Sequence, residues 1–381
     1  MSPIIIIGSG LAGYNTAKEL RKLDKETPLT VIAADSGHFY SKPMLSNALA
    51  SKKPPAAIAL NSPEQMAIQL NATVRAQTRV TAIDAAAHTI SMGGETLAFS
   101  KLVLALGAAQ IRLPINGDAA DAIVTVNDLD DYGRFHALLD SPKRVAIIGA
   151  GLIGSEFAND LTVAGHHVDV IDIATQPLGR LLPPQGGAFL QQKLAALGVQ
   201  WHFGTGTKSV DRDGTALRVT LDNGTALQAD IVLSAVGLKP NTDLARAAGL
   251  TVNRGIVVNR YLQTSDADIY ALGDCMEIEG LVMPFVMPIM HAARALGATL
   301  AGKPTTVSFP AMPVLVKTPA CPTIVSPPAA GAAGAWKIEQ TADGVKSLFE
   351  DSTGKLLGFA LNGAATAERA KLAPQLPPVL A

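Results

Sequence analysis

Apolar residues in this chain fall either into short unbroken runs that end on glycine or into longer stretches where they recur every three or four positions. The first run, Ile4-Ile5-Ile6-Ile7, is wholly β-branched, which predicts a strand covered on both faces. It passes directly into Gly8-Ser9-Gly10-Leu11-Ala12-Gly13. Over 14–22, Ala17 and Leu20 sit among Lys18, Glu19, Arg21 and Lys22 with the spacing of a helix. A second strand, 29–34, ends at Asp35. The same order returns later. A strand over 144–148 runs into Gly149-Ala150-Gly151-Leu152-Ile153-Gly154, a helix is predicted from 155 to 164, and a strand over 168–172 ends on Asp172.

Between and after these units the pattern predicts a strand around 73–83 and another at 88–92, the latter closed by a Gly93-Gly94 hairpin turn, and a buried strand at 101–105. Pro114 and Gly117 mark a break, followed by a helix over 128–139. Strands are predicted at 217–221 and 231–236, and another apolar run finishes at Gly273-Asp274. An apolar helix over 289–301 is bracketed by Pro284 and Pro288 before it and Gly302 after it. The last seventy-odd residues are strand-like and rich in proline and glycine, with a helical tail over 364–371. Alternating buried strands and helices of this kind predict an α/β protein with parallel sheets.

The two G-x-G-x-x-G stretches carry the chemistry. The first glycine permits a tight turn, the second lets a pyrophosphate approach the backbone, and the third lets helix and strand pack closely. Free amides at the helix start then hold phosphates. Asp35 and Asp172 close the second strand of each unit, where a carboxylate grips a ribose hydroxyl. One such motif is weak evidence; a duplicated pair, each in strand–turn–helix context, implies two dinucleotides. Nothing basic follows Asp172 at once, so NADH is expected there over NADPH, with Arg180 the remaining candidate for a 2′-phosphate. Glu156 has two readings, a surface acid that satisfies the helix dipole or a carboxylate beside nicotinamide and flavin. Lys42 is a candidate ligand for a phosphate, and Asp274 either accepts hydrogen bonds from a polyol chain or merely caps a helix.

Composition narrows the class. The 381 residues allow two or three domains, and a net charge of −1 offers no basic field for nucleic acid. Cys275 and Cys321 lie far apart, which excludes a disulfide framework and supports neither a metal site nor an adjacent dithiol. A reducing cytoplasm is the expected compartment. The apolar start is soon interrupted by glycine, and 285–301 carries His291 and Arg294, so no membrane insertion is expected.

Taken together, the two fingerprints, the Gly237–Thr242 turn and the 264–275 segment resemble the FAD-dependent pyridine nucleotide–disulfide oxidoreductase superfamily. Within it, the 40–46 stretch, the 149–160 stretch and Leu315-Val316-Lys317-Thr318-Pro319 resemble rubredoxin reductases and the related reductases of flavorubredoxin. The resemblance implies two Rossmann-like dinucleotide-binding domains of the glutathione-reductase type plus a small α+β C-terminal domain. An FAD domain would comprise 1–113 and 238–306, an NAD domain 114–237, and a domain completing the flavin site 307–381. It also implies FAD ligands: Gly8, Ser9, Gly10, Leu11, Ala12 and Gly13 at the phosphates, Ala34 and Asp35 at the adenosine ribose, Lys42 at the pyrophosphate and Val80 by the adenine. Glu156 would lie near the flavin, Asp274 at the ribityl chain, and Val286 and Lys317 at the pyrimidine end. Gly149, Gly151, Leu152, Ile153, Gly154 and Asp172 would hold NAD. Relatives of the ferredoxin type carry a lysine where Asn47 stands here, which leaves the usual lysine partner of Glu156 missing at that spot. The superfamily's C-x₄-C redox pair is absent.

The expected activity is a flavin-centred transfer in which NADH gives hydride to flavin N5 and single electrons pass to rubredoxin, a separate small acidic iron protein. No metal site and no catalytic acid–base pair are expected on the chain itself, and Glu156 and Lys317 would tune the flavin. Docking would use Lys42, Lys52, Lys53 and Lys317 and weaken with salt. The alternatives are a ferredoxin or the rubredoxin domain of a nitric oxide reductase as acceptor, an NADH oxidase or peroxidase, and a non-enzymatic NADH-responsive flavoprotein.

Overall fold

The computed structural model describes residues 2–381. Its first sheet is parallel, with strands in the order Ile269–Ala271, Lys101–Leu104, Ile4–Ile7, Leu29–Ile32, Thr73–Arg75. The isoleucine run is central, Ile4 facing Leu29 on one side and Lys101 on the other. All four isoleucines are buried, and each contributes about 1.5–3 kcal/mol of apolar burial. A second parallel sheet repeats the plan in the order Gln200–Phe203, His167–Asp172, Arg144–Ile148, Ile231–Ser234. Gly8 N donates to Ile32 O and Gly149 N to Ile171 O, both at 2.8 Å, so the two turns leave their sheets identically. Each unit also carries a three-stranded antiparallel sheet, Ala82–Asp84 with Thr89–Met92 and Glu95–Ala98, and Thr207–Asp213 with Ala216–Leu221 and Ala226–Ala229. In the first of these, Gly93 and Gly94 form the hairpin turn with φ of +55° and +86°.

The chain crosses between the units twice, and the two crossings pair as an antiparallel ribbon, Ala108–Gln110 with Leu238–Pro240. The final strand of the first sheet thus comes from beyond residue 260, while residues 144–234 form a sheet of their own. The last segment is a five-stranded antiparallel sheet ordered Val314–Val316, Thr323–Ser326, Leu356–Gly363, Gly344–Glu350, Ala335–Gln340. One hydrophobic core joins the first sheet to the helices Leu11–Leu23 and Val286–Leu300, which touch closely at Gly297; a Cβ there would lie 2.7 Å from Glu19 Cβ. A second core gathers Leu45, Ala48 and Leu49, then Phe157 and Leu161, then Val316 and Cys321. Three distant stretches of chain therefore meet at one place.

Several predicted bounds shift. The helices after the glycine turns begin at Leu11 and Leu152, not at 14 and 155, because the turn glycines Gly10 and Gly151 themselves act as N-caps. The helix expected at 289 starts at Val286 and takes Pro288 into its first turn, where a missing N–H loses no intrahelical bond. The strand expected within 73–83 is two, Thr73–Arg75 and Ala82–Asp84, in different sheets. The tail is a 3₁₀ stretch, Ala364–Glu368, followed by one short α-helix, Arg369–Leu372. Among the described residues no helix is long and apolar enough to cross a membrane.

Candidate functional site

The glycines of the two turns divide by what surrounds them. A Cβ on Gly8, whose φ is +115°, would lie 2.1 Å from Ala105 O, and one on Gly13 would lie 1.8 Å from Gly8 O. Gly149 and Gly154 are confined in the same way, at 2.7 Å from Ala235 O and 1.8 Å from Gly149 O. Gly10 and Gly151 have no neighbour within 4 Å of a built Cβ. The fold itself demands the first and third glycine of each motif, whereas the middle one faces space that a ligand would fill. Neither Gly10 nor Gly151 places a side-chain cap on its helix, so the first amides point into that space unpaired. Ser9, Ala12 and Gly13 are buried and Leu11 half-buried, while Leu152 and Ile153 edge the second turn. These two cradles fit dinucleotide phosphates.

The second strand stops at Ile32, short of the expected 34; three residues beyond it, Asp35 accepts from Ser9 Oγ at 3.1 Å and Gly37 N at 2.9 Å, which aims it back at the first turn. Ala34 beside it is exposed. The 75–80 segment runs alongside, Thr78 N donating to Ala33 O and Gln77 N to Asp35 O, and Val80 folds into the first core. Asp172 is placed alike in the second unit, accepting from Ala150 N at 2.5 Å and Ala174 N at 2.7 Å.

Gly273 continues the first cradle, since its Cβ would lie 2.9 Å from Ala12 Cβ. Asp274 follows it. It sits inside the turn Gly273–Cys275, whose N-cap is Leu272, so the helix-cap reading is not what the structure contains. Burial raises the Asp274 pKa, and the nearby Lys42 ammonium opposes the rise. Burial likewise lowers the Lys42 pKa against the pull of Asp274, Asp128 and Asp131. Lys42 donates to Asn127 Oδ1 at 2.8 Å, and Asn127 Nδ2 in turn donates to Ala108 O. A half-buried cation and a half-buried carboxylate thus lie within electrostatic reach of one another near the cradle, suited to a ligand that is anionic at one point and hydroxylated at the next.

Glu156 is 0 % exposed, which overturns the surface-acid reading. Because its helix begins at Leu152, Glu156 also lies past the first turn, where a helix dipole matters little. Its Oε1 accepts from Lys317 N at 2.9 Å, and its Oε2 takes both the Lys317 ammonium and, at 2.5 Å, the Ser46 hydroxyl. The lysine missing at Asn47 is supplied instead from the C-terminal segment. One turn along the same helix, Asp160 accepts from Leu49 N at 2.9 Å and Ala50 N at 3.0 Å, and Asn159 Oδ1 accepts from Ala320 N at 3.2 Å. Burial pushes the Asp160 pKa up, while these amides and Lys317 hold it down. Val286, 36 % exposed, opens its helix without a side-chain cap.

Two of the four lysines considered for docking are corrected. Lys42 and Lys317 are half-buried and already paired, Lys42 with the half-buried Asn127 and Lys317 with the buried Glu156; Lys52 and Lys53 are exposed. Both cysteines are buried, and desolvation pushes the Cys275 thiol up to about 12. Sequence reasoning passed over Ser46, Asn127 and Asp160 as site residues. Their partners lie 85 to 271 positions away, so no local spacing marks them.

Comparison with known proteins places these features. The family model described as pyridine nucleotide-disulphide oxidoreductase matches residues 2–297, and that described as rubredoxin binding C-terminal domain matches 306–376. The chain is 48 % identical over 381 residues to a rubredoxin-NAD(+) reductase of Alcanivorax borkumensis, covering 100 % of both. It is 38 % identical to a nitric oxide reductase FlRd-NAD(+) reductase of Aeromonas hydrophila, covering 98 % of this chain and 96 % of that one. Among solved structures, a ferredoxin reductase from Rhodopseudomonas palustris superposes with a TM-score of 0.89 at 26 % identity, over 100 % of this chain and 96 % of the other.

Proposed function

Because the chain belongs to the pyridine nucleotide-disulphide oxidoreductase family and ends in a rubredoxin-binding domain, we propose that it is an FAD flavoprotein that carries electrons from NADH to rubredoxin. The observation that carries this reading is a pair of open glycine cradles, the second of which is tied by the Glu156–Lys317 ion pair to the segment matched as rubredoxin-binding. FAD, when bound, supplies the conversion of a two-electron hydride donor into a one-electron source. The chain's own part is to bind, orient and exclude water.

In this reading Gly8 to Gly13 present uncapped amides to the FAD pyrophosphate, Lys42 adds a cation there, and Asp35 holds the adenosine ribose beside Ala34 and Val80. Asp274 accepts from the ribityl hydroxyls. Val286 and Lys317 meet the pyrimidine end, with Glu156 adjoining. Gly149, Gly151, Leu152, Ile153, Gly154 and Asp172 orient NADH from the second unit. The carboxylate of Asp172 repels a 2′-phosphate and so favours NADH. Residues 1–113 with 238–306 serve as the FAD unit, supported by the pairing of Ile269–Ala271 with Lys101–Leu104; residues 114–237 serve as the NAD unit and 307–381 complete the flavin site. The two buried free thiols suit a reducing compartment, the cytoplasm.

The test is anaerobic. NADH added to the FAD-loaded protein should bleach the flavin, and rubredoxin added next should lose its visible absorbance as the flavin colour returns. Bleaching without transfer to rubredoxin would overturn the assignment. A second reading, transfer to the rubredoxin domain of a flavorubredoxin, is favoured by the likeness to the Aeromonas hydrophila protein. Turnover compared with each purified acceptor separates the two.

A further inference from the structure

Ser46 is the last residue of the short 3₁₀ helix Lys42–Ser46 and is 2 % exposed. Its hydroxyl donates to Glu156 Oε2 at 2.5 Å and accepts from Lys317 Nζ at 2.9 Å, while that ammonium also contacts Glu156 directly. The three side chains close a ring, and they come from three separate parts of the chain, 110 and 271 positions from Ser46. A hydroxyl has one proton and two lone pairs, so a single serine can serve carboxylate and ammonium together.

We propose that Ser46 is a positioning residue for the flavin's charge environment: by bridging Glu156 and Lys317 it holds the ammonium against the carboxylate and fixes their combined field. This inference rests on the placement of the flavin beside the Glu156–Lys317 pair given above. The Glu156 carboxylate is out of reach of water, so its charge is compensated only by the groups that touch it. The Lys317 side chain keeps 21 % exposure and has a path outward. Without Ser46 it loses an inward acceptor and shifts its mean position toward solvent, leaving more uncompensated negative charge near the ring. Reduction of the flavin then becomes harder, since the reduced ring carries more electron density than the oxidised one.

The experiment compares the midpoint potential of bound FAD in the wild-type protein, Ser46→Ala and Ser46→Cys, by equilibration with a reference dye, alongside FAD affinity and thermal unfolding. Ser46→Ala removes one oxygen and adds no bulk. It should lower the ratio of reduced to oxidised flavin at fixed potential about tenfold, a shift of about 30 mV for a two-electron couple. Ser46→Cys, a weaker donor of similar shape, should fall between the two. A purely structural serine would lower the unfolding temperature without this ordering of potentials. If Ser46→Ala keeps the wild-type potential while Glu156→Gln or Lys317→Met moves it, the positioning role is overturned. If none of the variants moves the potential, the flavin does not lie beside the pair, and the placement fails together with the inference.

Discussion

Glu156 and Lys317, 161 positions apart, are joined twice, once through the Lys317 backbone amide at 2.9 Å and once through its ammonium. The carboxylate stands on the helix of the second glycine turn and the lysine in the segment matched by the rubredoxin-binding domain. The contact therefore ties the helix after the second glycine turn to the C-terminal segment.

Breaking one half of that pair should be worse than removing both. Lys317→Met strands a charge that water does not reach, a loss of about 3–5 kcal/mol for such pairs. The double variant Glu156→Gln with Lys317→Met should recover most of this. Denaturant unfolding of all three checks the order, and a double variant no better than Lys317→Met would refute it.

The middle and outer glycines should separate binding from folding. Gly10→Ala places a methyl in open space, so the apo-protein should unfold as wild type while FAD affinity falls about tenfold or more. Gly13→Ala drives a methyl into Gly8 O and should destabilise the fold itself by about 1–3 kcal/mol. Flavin fluorescence titration and thermal melts give the two readouts.

Docking of an acidic partner should depend on the exposed Lys52 and Lys53. Reversing both to glutamate should raise the KM for rubredoxin roughly tenfold and flatten its dependence on salt, since steering charges act mainly on encounter. Reduction of ferricyanide by NADH, which needs no docking, should be unaffected. An unchanged KM at low salt would place the docking surface elsewhere.

Asp274 should make the apo-protein less stable as pH rises. Its native pKa is raised above the ordinary 3.8, so the folded state holds the proton more tightly than the unfolded chain. Stability then falls as pH climbs from that value through the raised one, and the penalty stays above it. Asp274→Asn carries no such penalty. Its melting temperature should exceed that of the wild type at pH 7 and converge on it at pH 3, whereas FAD affinity should drop.

Much of the architecture can be read from the chain alone because it is written in local terms. Ile4 to Ile7 and the run at 144–148 mark central strands by composition, and the glycine spacings after them mark turns whose geometry other residues would not tolerate. Asp35 and Asp172 are legible because each follows the apolar run of its unit's second strand, Asp172 as the strand's last residue and Asp35 three residues beyond Ile32. The helix starts at Leu11 and Leu152 are not legible in the same way, because a glycine N-cap leaves no polar side chain to signal them.

The electrostatics of the site followed a different rule. Sequence pattern leaves Glu156 open between surface acid and flavin neighbour, and offers Lys42 and Lys317 both as flavin ligands and as docking lysines. The full burial of Glu156, the inward turn of the two half-buried lysines, and the choice of Lys317 over position 47 as partner to Glu156 depend on packing among Leu45, Phe157 and Val316, which no local spacing encodes. A charged side chain acquires its role from what desolvates it and what stands opposite, and both are supplied by distant parts of the chain. The repeated strand–turn–helix was thus determined by sequence, while the buried charge pair that links its second copy to the C-terminal sheet was decided only by the tertiary fold.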